Sequence, residues 1–178
     1  QNRAYTRNRA YTRNMRMVPP TLHSDRVVTS TYGVRDDGPH NGVDLRAAEG
    51  DPIVAIEGGS IVEILDEPSV PHGLAVHIDH DGGLQGRYMH GSAFPDGLQV
   101  GQRVEPGSVV MYAGGSGNSN GPHLHFEIGH MVDGEFKQFD PLMALGGLFD
   151  DYKIKGTDDT VQSMLSDVRD DKVLRQSF

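Results

Sequence analysis

From Thr29 to about Met143 the chain is a succession of short apolar stretches separated by Gly-rich turns, and this punctuation limits the fold more than any other feature. "PIVAIEGGSIVEIL" reads as a strand, a Gly-Gly turn and a strand, and "GLAVHIDHDGGLQGRYMH" as a second such pair around Asp81-Gly82-Gly83. "QVGQRVEPGSVVMYAG" sets a turn at Glu105-Pro106-Gly107 before another buried run. "PHLHFEIGHMVDGEFKQFD" closes with a hairpin near Asp133-Gly134. With 23 Gly and 10 Pro in 178 residues, many short strands are favoured over long helices. The expectation is a mainly β, antiparallel domain of two packed sheets.

The ends differ from this body. Residues 1–17 hold a perfect tandem hexapeptide, RAYTRN at 3–8 and 9–14, which is too few copies to stack into a repeat fold. Residues 1–16 carry five Arg and no acid; all 25 acids follow, against 11 Lys and Arg, so the remainder has a net charge of −14. The division expected is a basic arm and linker over residues 1–23, a β-domain over 24–148 and a C-terminal extension over 149–178. In that extension "DDTVQSMLSDVRDDKVL" places Val161, Met164, Leu165, Val168 and Leu174 at helical spacing, with Asp158 or Thr157 available as a cap. Both ends are candidates for tethering the domain to a larger assembly.

Charge and composition exclude several classes. A body this acidic is a poor non-specific ligand for nucleic acid or anionic polymers. No apolar run is long enough to cross a bilayer, and the basic first residues lack the apolar stretch of a secretion signal, so neither a span nor a signal is expected in this chain. There is no Cys, so any metal must rest on His, Asp or Glu.

Those residues form three clusters. In "GPHLHFEI", strand alternation puts His123, His125 and Glu127 on one face and Leu124, Phe126 and Ile128 on the other, which reads as core. In "DDGPHNGVDLRA", His40 and Asp44 are four residues apart. A straight strand would hold their Cα atoms about 13 Å apart, too far to share a metal, so a bend is needed; Gly42, which reaches backbone conformations closed to other residues, is the place for it. In "GRYMHGS", a strand from Arg87 to His90 puts Tyr88 and His90 on one face. Together the clusters suit a zinc hydrolase, with three protein ligands, an open position for water, and further side chains for proton transfer. His40, Asp44 and one of His123 and His125 supply the ligands; spacing alone does not say which.

The sequence resembles the lysostaphin-like and LytM-like zinc endopeptidases of bacterial peptidoglycan. Their H-x3-D, Y-x-H and H-x-H signatures correspond to His40–Asp44, Tyr88-Met89-His90 and His123-Leu124-His125, within flanking text that is similar from about Thr29 to Met143. The resemblance implies a LytM-type β-domain binding Zn2+ through His40, Asp44 and His125, with His90 and His123 catalytic. It implies a peptidoglycan peptide as substrate and action outside the cytoplasm, by a secreted or periplasmic enzyme or one carried on a phage tail. Tyr32 is a candidate for the substrate-contacting tyrosine that some relatives use. Family members often have Leu after the Y-x-H histidine, where this chain has Gly91. The competing reading is a non-catalytic assembly or regulatory module of the same fold; relatives of that kind usually lose ligands, and this chain keeps all of them. Of the other histidines, His77 and His80 are expected to be structural or exposed, and His23, His72 and His130 to lie in loops. Glu127 is expected to lie beyond the ligands.

Overall fold

A computed structural model describes residues 17–22, 24–145 and 147–176, with side-chain surroundings given as far as residue 168. The RAYTRN repeats, His23 and the side chain of Leu174 lie outside that range.

The chain is mainly β. Eleven strands form one continuous sheet: β1 (Val27–Ser30), β4 (Val43–Arg46), β5 (Pro52–Val54), β6 (Gly59–Leu65), β7 (Leu74–His80), β8 (Gln85–Ala93), β9 (Arg103–Val104), β10 (Val109–Ala113), β11 (His123–Val132), β12 (Glu135–Phe139) and β13 (Lys153–Ile154). A second, two-stranded sheet is the ribbon of β2 (Gly33–Arg35) and β3 (Gly38–His40). The main path runs β13-β1-β4-β11-β8-β7-β6-β9, and β10 joins β5 to the far end of β8. Pairing is antiparallel throughout, except between β1 and β13.

The turns follow their sequences. Asp133 and Gly134 both take positive φ, as a two-residue hairpin loop requires, and β11 and β12 pair from Ile128–Phe139 to Val132–Glu135. Pro106 and Gly107 make a tight turn, with Gly107 at φ 86° and the Ser108 N–H donating to the Glu105 carbonyl (3.0 Å). "PIVAIEGGSIVEIL" does yield two strands, but they are not partners: β5 pairs with β10, and β6 with β7 and β9. The connection between them is a buried crossing, with Ala55, Ile56 and Glu57 inside, and a Cβ on Gly59 would meet the Asp79 carbonyl oxygen at 2.3 Å.

One core joins the layers, built on Val43, Leu45, Ile53, Ile61, Val76, Ile78, Tyr88, Leu124, Phe126 and Ile128. The packing crosses both expected boundaries. At the start, Thr21 is buried, the Val18 N–H donates to Ile56 O (2.8 Å) and the Val54 N–H to Pro20 O (2.9 Å), so 18–22 lies on the domain rather than leading to it. After the short helix α1 (Pro141–Ala144), Phe149 and Tyr152 enter the core: Phe149 packs on Phe126 (6.3 Å between centroids), and the Tyr152 hydroxyl bonds that of Thr21 (2.6 Å). The body of the fold therefore continues past Leu148.

Helix α2 (Val161–Gln176) follows. Its cap is Thr160, not Thr157 or Asp158: Thr160 Oγ1 accepts from the Ser163 N–H (3.2 Å), and Ser163 Oγ accepts from the Thr160 N–H (3.0 Å). Val161 is buried, Met164 and Leu165 pack on the core, and Val168 is exposed. No helix among the described residues is long and apolar enough to cross a membrane.

Candidate active site

Strand β11 behaves as its alternation dictates. Leu124, Phe126 and Ile128 are fully buried on one face, while His123, His125 and Glu127 line a cavity of about 880 Å³ on the other. Pairing of β11 with β4 sets His125 opposite Asp44. His40 arrives from the other sheet, at the end of β3, with only Asn41 and Gly42 between it and the start of β4. The turn between them is at Asn41-Gly42, but Gly42 is not in a left-handed conformation. It is required for space: a Cβ there would lie 2.4 Å from Phe126 O, 2.9 Å from Glu127 Cγ and 3.0 Å from His125 Nε2.

His90 reaches the same cavity by another device. Tyr88 is fully buried in the core against Phe126, with its ring centroid at 5.1 Å, so the shared face expected for Tyr88 and His90 does not form. His90 takes φ 69°, and β7 and β8 slip by one residue there, Leu74 opposing Gly91 and Ala75 opposing Met89. His90 is the extra residue of a bulge, which turns its side chain out of the core and into the cleft. The next residue, Gly91, packs tightly: a Cβ there would meet Met111 Sδ at 2.4 Å, so the methionine side chain fills the space that a side chain at 91 would need.

Each of the four histidines has one nitrogen fixed and one directed inward. His40 Nδ1–H donates to Thr31 O (2.8 Å), His90 Nδ1–H to Ser116 O (2.7 Å) and His123 Nδ1–H to Gly121 O (2.9 Å). His125 Nε2–H donates to Glu127 Oε1 (2.9 Å). That frees His40 Nε2 and His125 Nδ1, which lie 3.2 Å apart and 3.2 and 2.9 Å from Asp44 Oδ1. The ligand atoms of His40, Asp44 and His125 all fall within 4.8 Å of one another. His123 Nε2 is 3.4 Å from Asp44 Oδ1, and the His90 ring is 5.0 Å from that of His123.

The electrostatics suit a bound cation. Burial opposes ionisation of Asp44, but hydrogen bonds from His123, His125 and His40 outweigh it and hold the carboxyl well below the usual range. Among the described residues no Lys or Arg pairs with Asp44, so its charge must be balanced by protons on histidines or by a metal. In the metal-free site burial disfavours a charged His125, yet Asp44 and Glu127 lift it to about 9; His123 is raised against the same penalty by Asp44. His90 is lowered to about 4 by burial, helped by the charges of His123 and His125. The donor set, two imidazoles and a carboxylate with an open side, fits zinc.

The other candidates sort plainly. Tyr32 is half-buried against the core and does not line the cavity. His77 and His80 are buried, the latter bonded to Glu57 O (2.9 Å) and to the Tyr88 hydroxyl (3.1 Å). His130 lies in β11 rather than in a loop, with its ring 5.5 Å from Phe139. His72 lies in the turn before β7 and lines the cleft. Sequence spacing missed the backbone acceptors at Thr31, Ser116 and Gly121, and left Glu127 without a contact; the shared face of His125 and Glu127 was the available signal.

Residues 38–141 match peptidase family M23. The chain belongs to that family. M23 is a family of metallopeptidases, and the mainly β fold matches that of solved M23 structures. Two curated relatives show its range: the peptidoglycan DD-endopeptidase ShyB of Vibrio cholerae is 32% identical over 90 residues, covering 51% of this chain and 20% of that protein. The glycyl-glycine endopeptidase ALE-1 of Staphylococcus capitis is 37% identical over 91 residues, covering 51% of this chain and 24% of that protein. The chain thus spans only about a fifth to a quarter of the length of these M23 relatives. A solved mutant catalytic domain of the prophage-encoded M23 protein EnpA from Enterococcus faecalis superposes with a TM-score of 0.63 at 30% identity, covering 72% of this chain and 98% of that one.

Proposed function

We propose that the chain is a zinc endopeptidase hydrolysing peptide bonds of bacterial peptidoglycan. The observation that carries this reading is the convergence of His40, Asp44 and His125 on one point of an open cleft, with His90 and His123 beside it. His40 Nε2, Asp44 and His125 Nδ1 would hold the metal. A zinc ion bound there would supply a Lewis acid for the scissile carbonyl and lower the pKa of water toward neutrality. His90, neutral at pH 7 and held by Ser116 O, presents Nε2 as the acceptor of the proton that the attacking water loses. His123, held through Nδ1 by Gly121 O (2.9 Å), turns Nε2 into the cleft, where it serves as the donor that protonates the departing amine and steadies negative charge on the tetrahedral intermediate. Glu127 fixes the tautomer of His125, so that Nδ1 is the nitrogen facing the metal.

The named activities of ShyB and ALE-1 support a wall peptide as substrate. The place of action is then outside the cytoplasm, reached by secretion or on a phage particle; the prophage origin of EnpA supports the second route. The test is digestion of purified peptidoglycans of different bridge chemistry, with released fragments identified by mass spectrometry. New amino termini within the peptide portion, abolished by a chelator, are expected. Intact walls, or cuts confined to the glycan, contradict the proposal.

A further inference from the structure

The cleft has a wall that the M23 match does not include. The match ends at residue 141, whereas β13 and the loop after it lie at 153–160. β13 pairs with β1 through Val27–Lys153 and Val28–Ile154, and the Lys155 N–H donates to Val28 O (3.0 Å). The loop is braced by Ile154 N–H to Asp159 O (3.0 Å) and Val161 N–H to Tyr152 O (2.9 Å). Ile154 packs on the core, so its neighbour Lys155 projects to the opposite face, where it lines the cleft.

The charge of this wall runs against that of the chain. The protein carries −9 overall, yet Arg35, Arg46, Arg87 and Lys155 all line the cavity. Three of them have partners: Arg35 with Asp37 (3.2 Å), Arg46 with Asp25, and Arg87 with Gln85 (2.9 Å) and the ring of Phe136 (3.8 Å). The Lys155 ammonium has no ion-pair partner among the described residues. The cleft's own carboxylates do not supply one: Asp44 and Glu127 are engaged by histidines and Asp37 by Arg35.

Distance relates this cation to the reacting bond. In the order β13-β1-β4-β11, three strand steps separate β13 from the strand carrying His123 and His125. At about 4.8 Å per step this is about 14 Å, or about four residues of extended peptide, and fewer once the lysine side chain reaches inward. Arg46, opposite His123 in the β4–β11 pairing, lies between.

We propose that Lys155, backed by Arg46, forms a carboxylate-binding subsite on this wall. It takes a free carboxylate of the peptide being cut, about two to four residues from the scissile bond, and so favours acidic stem peptides over neutral glycine bridges. The proposal rests on reading the cleft as a wall-peptide endopeptidase site. An exposed charge pair contributes a modest factor, about threefold to fivefold, and is weakened by salt.

The experiment compares two synthetic cross-linked stem peptides, identical except that one side-chain or terminal carboxylate is a carboxamide in the second. The ratio of kcat/KM for acid over amide is measured for the full chain and for Lys155→Gln and Lys155→Glu, at low and high salt. Lys155 is exposed, so both variants should fold. The ratio should be about three to five in the wild type at low salt, fall toward one in Lys155→Gln and at high salt, and fall below one in Lys155→Glu. If both peptides are cut but the ratio is the same in all three proteins, the subsite is refuted and the endopeptidase reading stands. If the wild type cuts neither these peptides nor intact walls, the endopeptidase reading fails and the subsite falls with it.

Discussion

Gly42→Ala is the smallest change that should damage the site without touching a proposed ligand. A Cβ at 42 would sit 2.4 Å from Phe126 O, about 0.8 Å inside ordinary contact, and 3.0 Å from His125 Nε2. The clash is with backbone, so a rotamer change cannot relieve it. Relief must separate β4 from β11 just where Val43 pairs with Phe126 and Asp44 with His125. Overpacking of this kind costs about 1–3 kcal/mol, which for a domain of this size lowers Tm by about 3–10 °C. The metal should register the shift more strongly, because zinc tolerates ligand displacements of only about 0.2 Å; an opening several times larger should weaken zinc affinity by about 10- to 100-fold. The assay is a thermal melt, with and without zinc, beside competition against a chromophoric chelator. Asn41→Ala, next door and exposed, is the control and should change neither. Wild-type melting and wild-type zinc affinity in Gly42→Ala would refute the close-approach argument.

Four further outcomes follow from the same geometry. Glu127→Gln should weaken zinc binding by about 10- to 100-fold and alter the visible spectrum of the cobalt-substituted protein, with Glu127→Asp intermediate; unchanged affinity and spectrum would remove Glu127 from the positioning role. His90→Ala and His123→Ala should keep zinc while losing about 10²- to 10⁴-fold in kcat, and loss of metal from either would move that residue into the ligand set. Truncation after Leu148 removes Phe149, Tyr152 and Val161 from the core, so the shortened chain should fail to give a cooperative melt; a cooperative melt would return the boundary to 148. Burial, with help from Arg87, lowers the pKa of His77 from 6.5 to about 4, so the unfolded chain binds the extra proton first and this contribution, on the order of 1–3 kcal/mol, is full above pH 6.5 and lost as pH falls toward 4. Urea midpoints at pH 7 and 5 should therefore differ less in His77→Gln than in the wild type, and an equal difference would discard the assignment.

The sequence made some of this legible and hid the rest for physical reasons. The β11 face was readable because period-2 alternation is local, and Leu124, Phe126 and Ile128 are buried as it requires. His40 and Asp44 were placed together only by assuming a bend. The bend exists because they belong to strands of different sheets, and Gly42 serves through its missing side chain rather than its backbone freedom. His90 broke the alternation rule, since a bulge depends on how β7 and β8 slip against each other and leaves no local signature. The turn expected at Gly58-Gly59 does not form there: the bend falls at Ile56-Glu57, Gly59 already belongs to β6, and β5 and β6 find their partners far along the chain. The boundary at Leu148 followed the end of recognisable motif, whereas the core is closed by Phe149 and Tyr152, whose burial depends on contacts with Phe126 and Thr21.

Metal stoichiometry tests the central claim most directly. Elemental analysis of the purified full chain, after exchange into zinc and removal of excess, should give one zinc per chain in the wild type. Asp44→Ala and His125→Ala should give close to none, since a site that loses one anchor leaves the others poorly compensated, while His123→Ala should retain the metal. Full zinc in Asp44→Ala, or retention in His125→Ala with loss in His123→Ala, would contradict a centre built on His40, Asp44 and His125.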